Sequence, residues 1–251
     1  MKPPGFLLRA NVMEPPASFS VAVFGATGAI GQAICRWYQT RGHHVVAIGR
    51  AASAPPGTEG MQWVSWDIGY PDRFPDVLQS RKLNAVVWAQ GINFNDDIYS
   101  FDIDQHRLIY DANVVFVLAS LQVLLNDKLL APAARLCVIS SIWQNIAKQK
   151  KMSYAITKSA LQGLVQSLSV DLGSSGILVN AVLPGALDTP MTRANLNAGQ
   201  ISRLEQMSPL GTLPSLDDVC NLVGFLCSEA NTGITGQFVA ADRGFSYARI
   251  V

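Results

Sequence analysis

The chain has 251 residues, 49% apolar and only 15% charged, with a formal net charge of +1. That is enough material for the core of one large α/β domain, and it leaves no basic face of the kind that nucleic acid requires. Four cysteines without a Cys-x-x-Cys pair, and three histidines without ligand types at suitable spacing, argue against a metal centre and read as thiols of a reducing compartment.

Residues 1–19, with Pro3, Pro4, Pro15 and Pro16, read as an N-terminal arm. The run Phe6-Leu7-Leu8 is too short for a signal-peptide core and is closed by Arg9. The most apolar long stretch, Asp111 to Asp127, is interrupted by Asn113, Ser120 and Gln122 and is too short for a bilayer span. A soluble, cytoplasmic protein is expected, with residues 20–251 forming a single domain.

Ser20 to Phe24 is a short apolar run ended by Gly25, hence a buried strand. Gly25-Ala26-Thr27-Gly28-Ala29-Ile30-Gly31 follows, then an amphipathic run to Arg41 stopped by Gly42. Strand, glycine turn and helix form the context of a dinucleotide site: the glycines admit pyrophosphate, and the helix N-terminus offers N–H groups and positive dipole. The alternative is a tight strand-to-helix connection without ligand. Val45 to Ile48 is the second strand, followed by Gly49-Arg50. An acid here would hold a ribose hydroxyl, whereas an arginine suits a 2′-phosphate, so Arg50 favours NADP over NAD unless it is a solvated loop cation.

Gln62 to Trp66 is a third strand, with Asp67 either contacting adenine or capping the turn before Pro71. Further strands are expected at Ala85–Ala89, Ala134–Ile139, Ile177–Leu183 and Phe238–Ala241, with a long apolar helix over Asp104–Asn126. Seven strands alternating with helices predict a Rossmann-like, doubly wound parallel sheet with helices on both faces. The polar stretch 188–209, punctuated by Pro190, Gly199 and Pro209, lies beyond a strand end and is either a substrate lid or a plain surface excursion.

A helix over Ser153–Leu172 opens with Tyr154-Ala155-Ile156-Thr157-Lys158. Residues four apart share a helix face, and an ammonium there favours the phenolate, lowering a tyrosine from its usual pKa of about 10. Tyr154 would then exchange a proton near neutral pH; the plain alternative is an ordinary neighbour pair. Lys158 and Asp171 are the only charges on this helix. It is therefore expected to be buried all round, between the sheet and another subunit of a homodimer or homotetramer.

Taken in order, the glycine turn 25–31, Asp67, Ala89-Gln90-Gly91, Asn113, Ser141, Tyr154 with Lys158 and Asn180-Ala181-Val182-Leu183-Pro184-Gly185 resemble the short-chain dehydrogenase/reductase family. Thr189-Pro190-Met191 and Thr235-Gly236-Gln237 with Asp242 complete the pattern, which spans about Ser20 to Phe245. The resemblance implies that Tyr154 passes a proton to a carbonyl oxygen that Ser141 holds, while nicotinamide delivers hydride to the carbon. It implies that Lys158 holds the nicotinamide ribose and that Asn113 positions a water leading toward Lys158. It places the cofactor on Gly25, Thr27, Ala29, Ile30 and Gly31, then on Arg50, Asp67 and Ile68, on Ala89 and Gly91, and on Pro184, Gly185, Leu187 and Thr189 beside Tyr154 and Lys158.

The chain departs from the family pattern in three places. Its glycines are spaced GxxGxxG, with Gly28 in place of a small polar residue and Ala29 in place of the middle glycine. Trp88-Ala89-Gln90-Gly91 replaces Asn-Asn-Ala-Gly, and Arg243 replaces a glycine of the usual Asp-Gly-Gly. Phe94, Trp143 and Met191 are candidates for an apolar substrate pocket, or else ordinary core and rim residues. Lys148, Lys150 and Lys151 form either a solvated loop or an attraction for an anionic substrate or an acyl-carrier protein.

The resulting expectation is an NADP(H)-dependent reductase of a ketone or dehydrogenase of a secondary alcohol, with no membrane or nucleic-acid partner. The glycine spacing keeps a nucleotide-sugar epimerase or dehydratase in view, although the C-terminal stretch leaves little room for a nucleotide-binding lobe. A non-catalytic NAD(P)-sensing protein is the third reading.

Overall fold

The structure, a computed structural model, describes residues 19–67, 81–189, 192–193 and 196–247. The strands are β1 (Ser20–Phe24), β2 (His44–Gly49), β3 (Gln62–Ser65), β4 (Leu83–Trp88), β5 (Leu130–Ile139), β6 (Leu178–Pro184) and β7 (Phe238–Ala241). They form one sheet in the order β3-β2-β1-β4-β5-β6-β7, and every pair is parallel. The helices are α1 (Ala29–Gln39), α2 (Ile103–Tyr110), α3 (Phe116–Asn126), α4 (Met152–Asp171), α5 (Ala198–Gln206) and α6 (Leu216–Leu226).

Side chains alternate across each strand, and the two faces build two separate cores. Val21 and Val23 of β1 meet α1 and α6 through Ile34, Cys35, Val219 and Cys220. Ala22 and Phe24 meet the other layer, where Val117 of α3 and Leu161 of α4 lie. All four thiols are buried and unpaired with one another, and burial pushes Cys35 and Cys220 up to about 12, so they behave as small apolar groups. Phe19, which the sequence assigns to the arm, is itself buried and stacks on Tyr38 at 6.1 Å. The rest of the arm lies outside the described residues.

Two local features differ from the sequence expectation. Strand β5 begins earlier than residue 134, and its pairing with β4 slips between Leu83 and Ala85; Pro132 supplies no donor to the ladder there, and Ala133 has φ 53°. The long helix is continuous through a π turn at Asp111–Val115. The resulting 24-residue element, Ile103–Asn126, is long and apolar enough to cross a membrane, which corrects the expectation that it is too short. Val114, Val117, Leu121 and Leu124 bury its inner side against the sheet, as in a core helix. Helix α4 lays one side on the sheet, and in the single chain Ile156, Gln162, Gln166 and Val170 lie exposed along its outer side, the side expected to meet another subunit.

Candidate active site

The chain winds outward from β1 through β2 to β3, then returns to β4 on the other flank of β1. The strand order therefore reverses between β1 and β4, and the C-terminal ends of strands at such a switch point are where open α/β sheets take their ligands in a crevice. Gly25, at φ 73°, forms one wall, and a Cβ there would stand 2.5 Å from the Gln90 nitrogen on the other. A Cβ on Gly31 would stand 2.2 Å from the Gly25 carbonyl oxygen. These two glycines let α1 sit directly on the turn. Gly28 is different, since a Cβ there would meet the Gly25 oxygen at an ordinary 3.4 Å. Gly28 is the N-cap of α1 and provides no side-chain cap, and Thr27, Gly28 and Ala29 are exposed. The first N–H groups of α1 are therefore open toward the crevice, a donor set that fits a pyrophosphate.

Arg50 lies exposed just past β2, and Asp67 is half-buried just past β3. Both stand on the rim of the same sheet edge, whereas Ile68 lies outside the described residues. The floor beneath the crevice is aromatic. Trp88, at the position of the family's first asparagine, stacks on Phe24 at 5.7 Å and donates its indole N–H to Ser120 Oγ at 2.8 Å. Trp66 packs edge-on against Phe24 and Phe116. Ring packing thus replaces the support that an asparagine would give through hydrogen bonds.

At the end of β5 the chain turns through Ser140 and Ser141 into a short 3₁₀ turn. The Ser141 hydroxyl accepts the Trp143 N–H at 3.3 Å and faces Tyr154 from the first turn of α4. Burial pushes Tyr154 above its ordinary value, and the neighbouring Ser141 hydroxyl offsets part of that rise. The net direction is opposite to the lowering expected from Lys158. The reason is geometric: the Lys158 ammonium lies 5.5 Å from the Tyr154 ring centre and donates to the Ile139 carbonyl at 3.0 Å. Lys158 is almost wholly buried, and desolvation brings its own pKa down to about 8.

Asn113 stands at the centre of the π turn and is fully buried. Its Oδ1 accepts from the Ile92 N–H at 2.9 Å, and its Nδ2 donates to the Ile92 carbonyl at 3.1 Å and to Thr157 Oγ1 at 3.0 Å. Asn113 thus sits at an irregular turn of the helix and makes a buried polar contact. A Cβ on Gly91 would meet Asn113 Oδ1 at 3.0 Å and Lys158 Nζ at 3.7 Å, so the loop after β4, the π turn and α4 converge on one point.

Thr157 was not singled out by the sequence. It joins the network by donating to the Tyr154 carbonyl at 2.8 Å, and its place three residues after Tyr154 was the available signal. Asp96 was also missed. Its carboxylate accepts the Ser153 N–H at 3.0 Å and so caps the helix that carries Tyr154. Separated from that helix by 57 positions, it leaves no local signal.

On the nicotinamide side of the resemblance, Gly185 closes β6, and a Cβ there would meet Asp242 Cβ at 3.0 Å and Pro214 Cγ at 3.2 Å. Pro184 ends the strand, Leu187 is buried, and the Thr189 hydroxyl is bonded to that of Thr192 at 3.1 Å. Of the pocket candidates, Trp143 packs edge-on against Phe245 at 6.4 Å with the Lys148 ammonium 5.5 Å from its ring centre. Phe94 is half-buried in the loop after Gly91, and Met191 lies outside the described residues. The lid expectation also falls partly outside them; its described part holds α5, which is closed at its start by a capping box of Asn197 and Gln200.

The family model described as enoyl-(acyl carrier protein) reductase matches residues 25–246. The chain belongs to the short-chain dehydrogenase/reductase family and is an oxidoreductase. Among curated relatives of this short-chain dehydrogenase/reductase, cis-4-hydroxycyclohexanecarboxylate dehydrogenase of Sinomonas cyclohexanicum is 26% identical over 237 residues, covering 89% of this chain and 95% of that protein. The 3-oxoacyl-acyl-carrier-protein reductase of Rickettsia felis is 28% identical over 232 residues, covering 88% and 94%. In fold, the chain is similar to a gluconate 5-dehydrogenase from Burkholderia cenocepacia in complex with NADP and tartrate. The TM-score is 0.84 at 22% identity, covering 92% of this chain and 96% of that one.

Proposed function

We propose that the protein interconverts a ketone and a secondary alcohol with NADP(H), Tyr154 acting as general acid in reduction and general base in oxidation. The observation that carries this reading is the convergence of Ser141, at the end of β5, with Tyr154 and the buried Lys158 ammonium, 5.5 Å from the tyrosine ring, in the first turns of α4. Burial keeps the Tyr154 proton on the hydroxyl through the neutral range, which suits donation to a carbonyl oxygen. Ser141 offers a second donor to that oxygen and fixes its position.

The crevice residues fit a dinucleotide: the open N-terminus of α1 for pyrophosphate, Arg50 for a 2′-phosphate, and the Pro184–Thr189 turn with Lys158 for the nicotinamide end. When bound, the cofactor supplies or accepts the hydride. Asn113 holds the loop at Ile92 and, through Thr157, the backbone of Tyr154, so it sets the distance between the two sides of the cleft.

The Trp143–Phe245 wall, with Lys148 at its edge, fits a substrate of apolar body and anionic tail. The named substrate of the Sinomonas cyclohexanicum relative is of that kind. The uncharged outer side of α4, together with Leu118 and Leu125 of α3, fits burial in a homodimer or homotetramer, and the buried free thiols fit a reducing cytoplasm. Oxidation of NADPH and NADH measured across a panel of ketones, with Tyr154→Phe beside the parent enzyme, tests the reading. Turnover that survives the substitution would remove Tyr154 from its role.

A further inference from the structure

We propose that Arg243 is a positioning residue for the substrate side of the cleft: it straps the return loop of α5 to the turn after β7. This rests on the oxidoreductase reading for its kinetic consequence, but the strap itself is a matter of geometry. Arg243 holds φ 55°, in the left-handed region that favours glycine. An arginine is thus kept where the backbone prefers no side chain, and its contacts show what the side chain does.

Arg243 Nε donates to Asp218 Oδ2 at 2.8 Å, its Nη1 bonds the Thr212 hydroxyl, and its carbonyl accepts from Ser208 Oγ at 3.0 Å. Ser208 lies just after α5, Thr212 in the following loop and Asp218 in the first turn of α6. One residue therefore grips three points of the loop that brings the chain back from α5. The neighbouring Asp242 fixes the other half of the strap, accepting the Gly244 N–H at 2.9 Å and the Ser246 N–H at 2.8 Å. That turn carries Phe245, whose ring meets Trp143.

The consequence follows from α5 itself. None of its residues is fully buried, and only Ile201, Ser202, Leu204 and Glu205 are half-buried, so its position depends on a thin contact face and on the tethers at its ends. Leu204 of α5, Leu213, Pro214 and Phe245 line a common cavity with Ala186 of the turn after β6. Arg243 holds two residues that line this cavity, Thr212 through its guanidinium and Ser208 through its carbonyl, while the fork also grips Asp218, a guanidinium constraint that a glycine at 243 would not supply. Arg243 thereby sets the shape of the substrate end while touching neither cofactor nor reacting atoms.

Two variants test this, Arg243→Gly, which suits the backbone angle and removes the strap, and Arg243→Lys, which keeps the charge without the fork. Trypsin cleavage after the exposed Arg203 of α5 reads the tether directly and needs no turnover. In Arg243→Gly, cleavage is expected to rise about tenfold, the factor for losing one charge-assisted hydrogen bond. Substrate KM should rise by a similar factor, with kcat held within about twofold and the thermal midpoint unchanged. Arg243→Lys should follow the glycine variant in both readouts.

Parent-like cleavage and KM in Arg243→Gly would overturn the proposal. So would a fall in thermal midpoint with kcat and KM lost together, because that is the pattern of a merely structural residue. Parent-like behaviour of Arg243→Lys would overturn the forked strap. If the parent enzyme turns over no ketone at all, the functional reading fails and the trypsin result alone decides on Arg243.

Discussion

The two sides of the cleft are built differently. The side of Gly25, Asn113, Ser141, Tyr154 and Lys158 consists of strand ends and helix turns whose polar atoms are buried and paired with backbone, as Asn113 is with Ile92 and Lys158 with Ile139. The side running from Gly185 through α5 to Phe245 consists of loops and a helix without buried residues, tied by Arg243 and Asp242. The first arrangement fixes Asn113 and Lys158 on backbone partners. The second leaves room for the wall of the pocket to vary without disturbing them.

The most severe way to break the rigid side is Tyr154→Phe. The lost proton donor should lower kcat about a thousandfold, within the range for general acid catalysis, while the thermal midpoint stays within about 2 °C because only one hydroxyl is removed. Asn113→Ala removes the side-chain partner of both Ile92 backbone groups and one of the two bonds of the Thr157 hydroxyl. It should lower the thermal midpoint by several degrees, at about 2–4 °C per kcal/mol for a chain of this size. The rate should fall roughly ten- to a hundredfold as Tyr154 shifts.

The same rigid side responds to pH through Lys158, which is charged in the folded protein below about 8 and neutral above it. Cofactor affinity should therefore weaken as pH rises through that value, by about tenfold per unit beyond it, as read by titration with NADPH. Stability has the opposite sign: between about 8 and the ordinary lysine value of 10.5 the unfolded chain binds more protons at this residue than the folded one. Its contribution to stability thus rises with pH across that window. The mildest effect sharpens the comparison from the loop side. Lys148→Met should raise KM for a ketone bearing a carboxylate by only a few-fold, the worth of an exposed ion pair, and leave KM for its uncharged analogue unchanged.

The sequence disclosed the rigid side far better than the other. Buried parallel strands are continuous apolar runs, so Ser20–Phe24 and Phe238–Ala241 could be read with their observed limits. The places of Ser141 at a strand end and of Tyr154 and Lys158 on one helix could be read because their spacing is local. What could not be read is what depends on distant parts of the chain. Asp96 caps α4 from a loop, Lys158 turns to a carbonyl on β5, and burial outweighs the expected effect of an ammonium on Tyr154. Trp88 looked like a missing asparagine because its partner, Ser120, sits on another element. The role of Arg243 was hidden in a backbone angle that no composition reveals.

The π turn at Asp111–Val115 has a consequence for the length of the chain. A π turn fits one more residue into a helical circuit than an α turn does, so it rotates everything beyond it by roughly 100° relative to an unbroken helix. The α2 half aims His106 at Ser153 beside Tyr154, and the α3 half aims Val117 and Leu121 at the sheet. Deleting a single residue there would restore a regular helix and turn one of those halves away from its target. The surplus residue is thus a phase adjuster between two gears, and this helix should tolerate exchange of its letters far better than any change in their number.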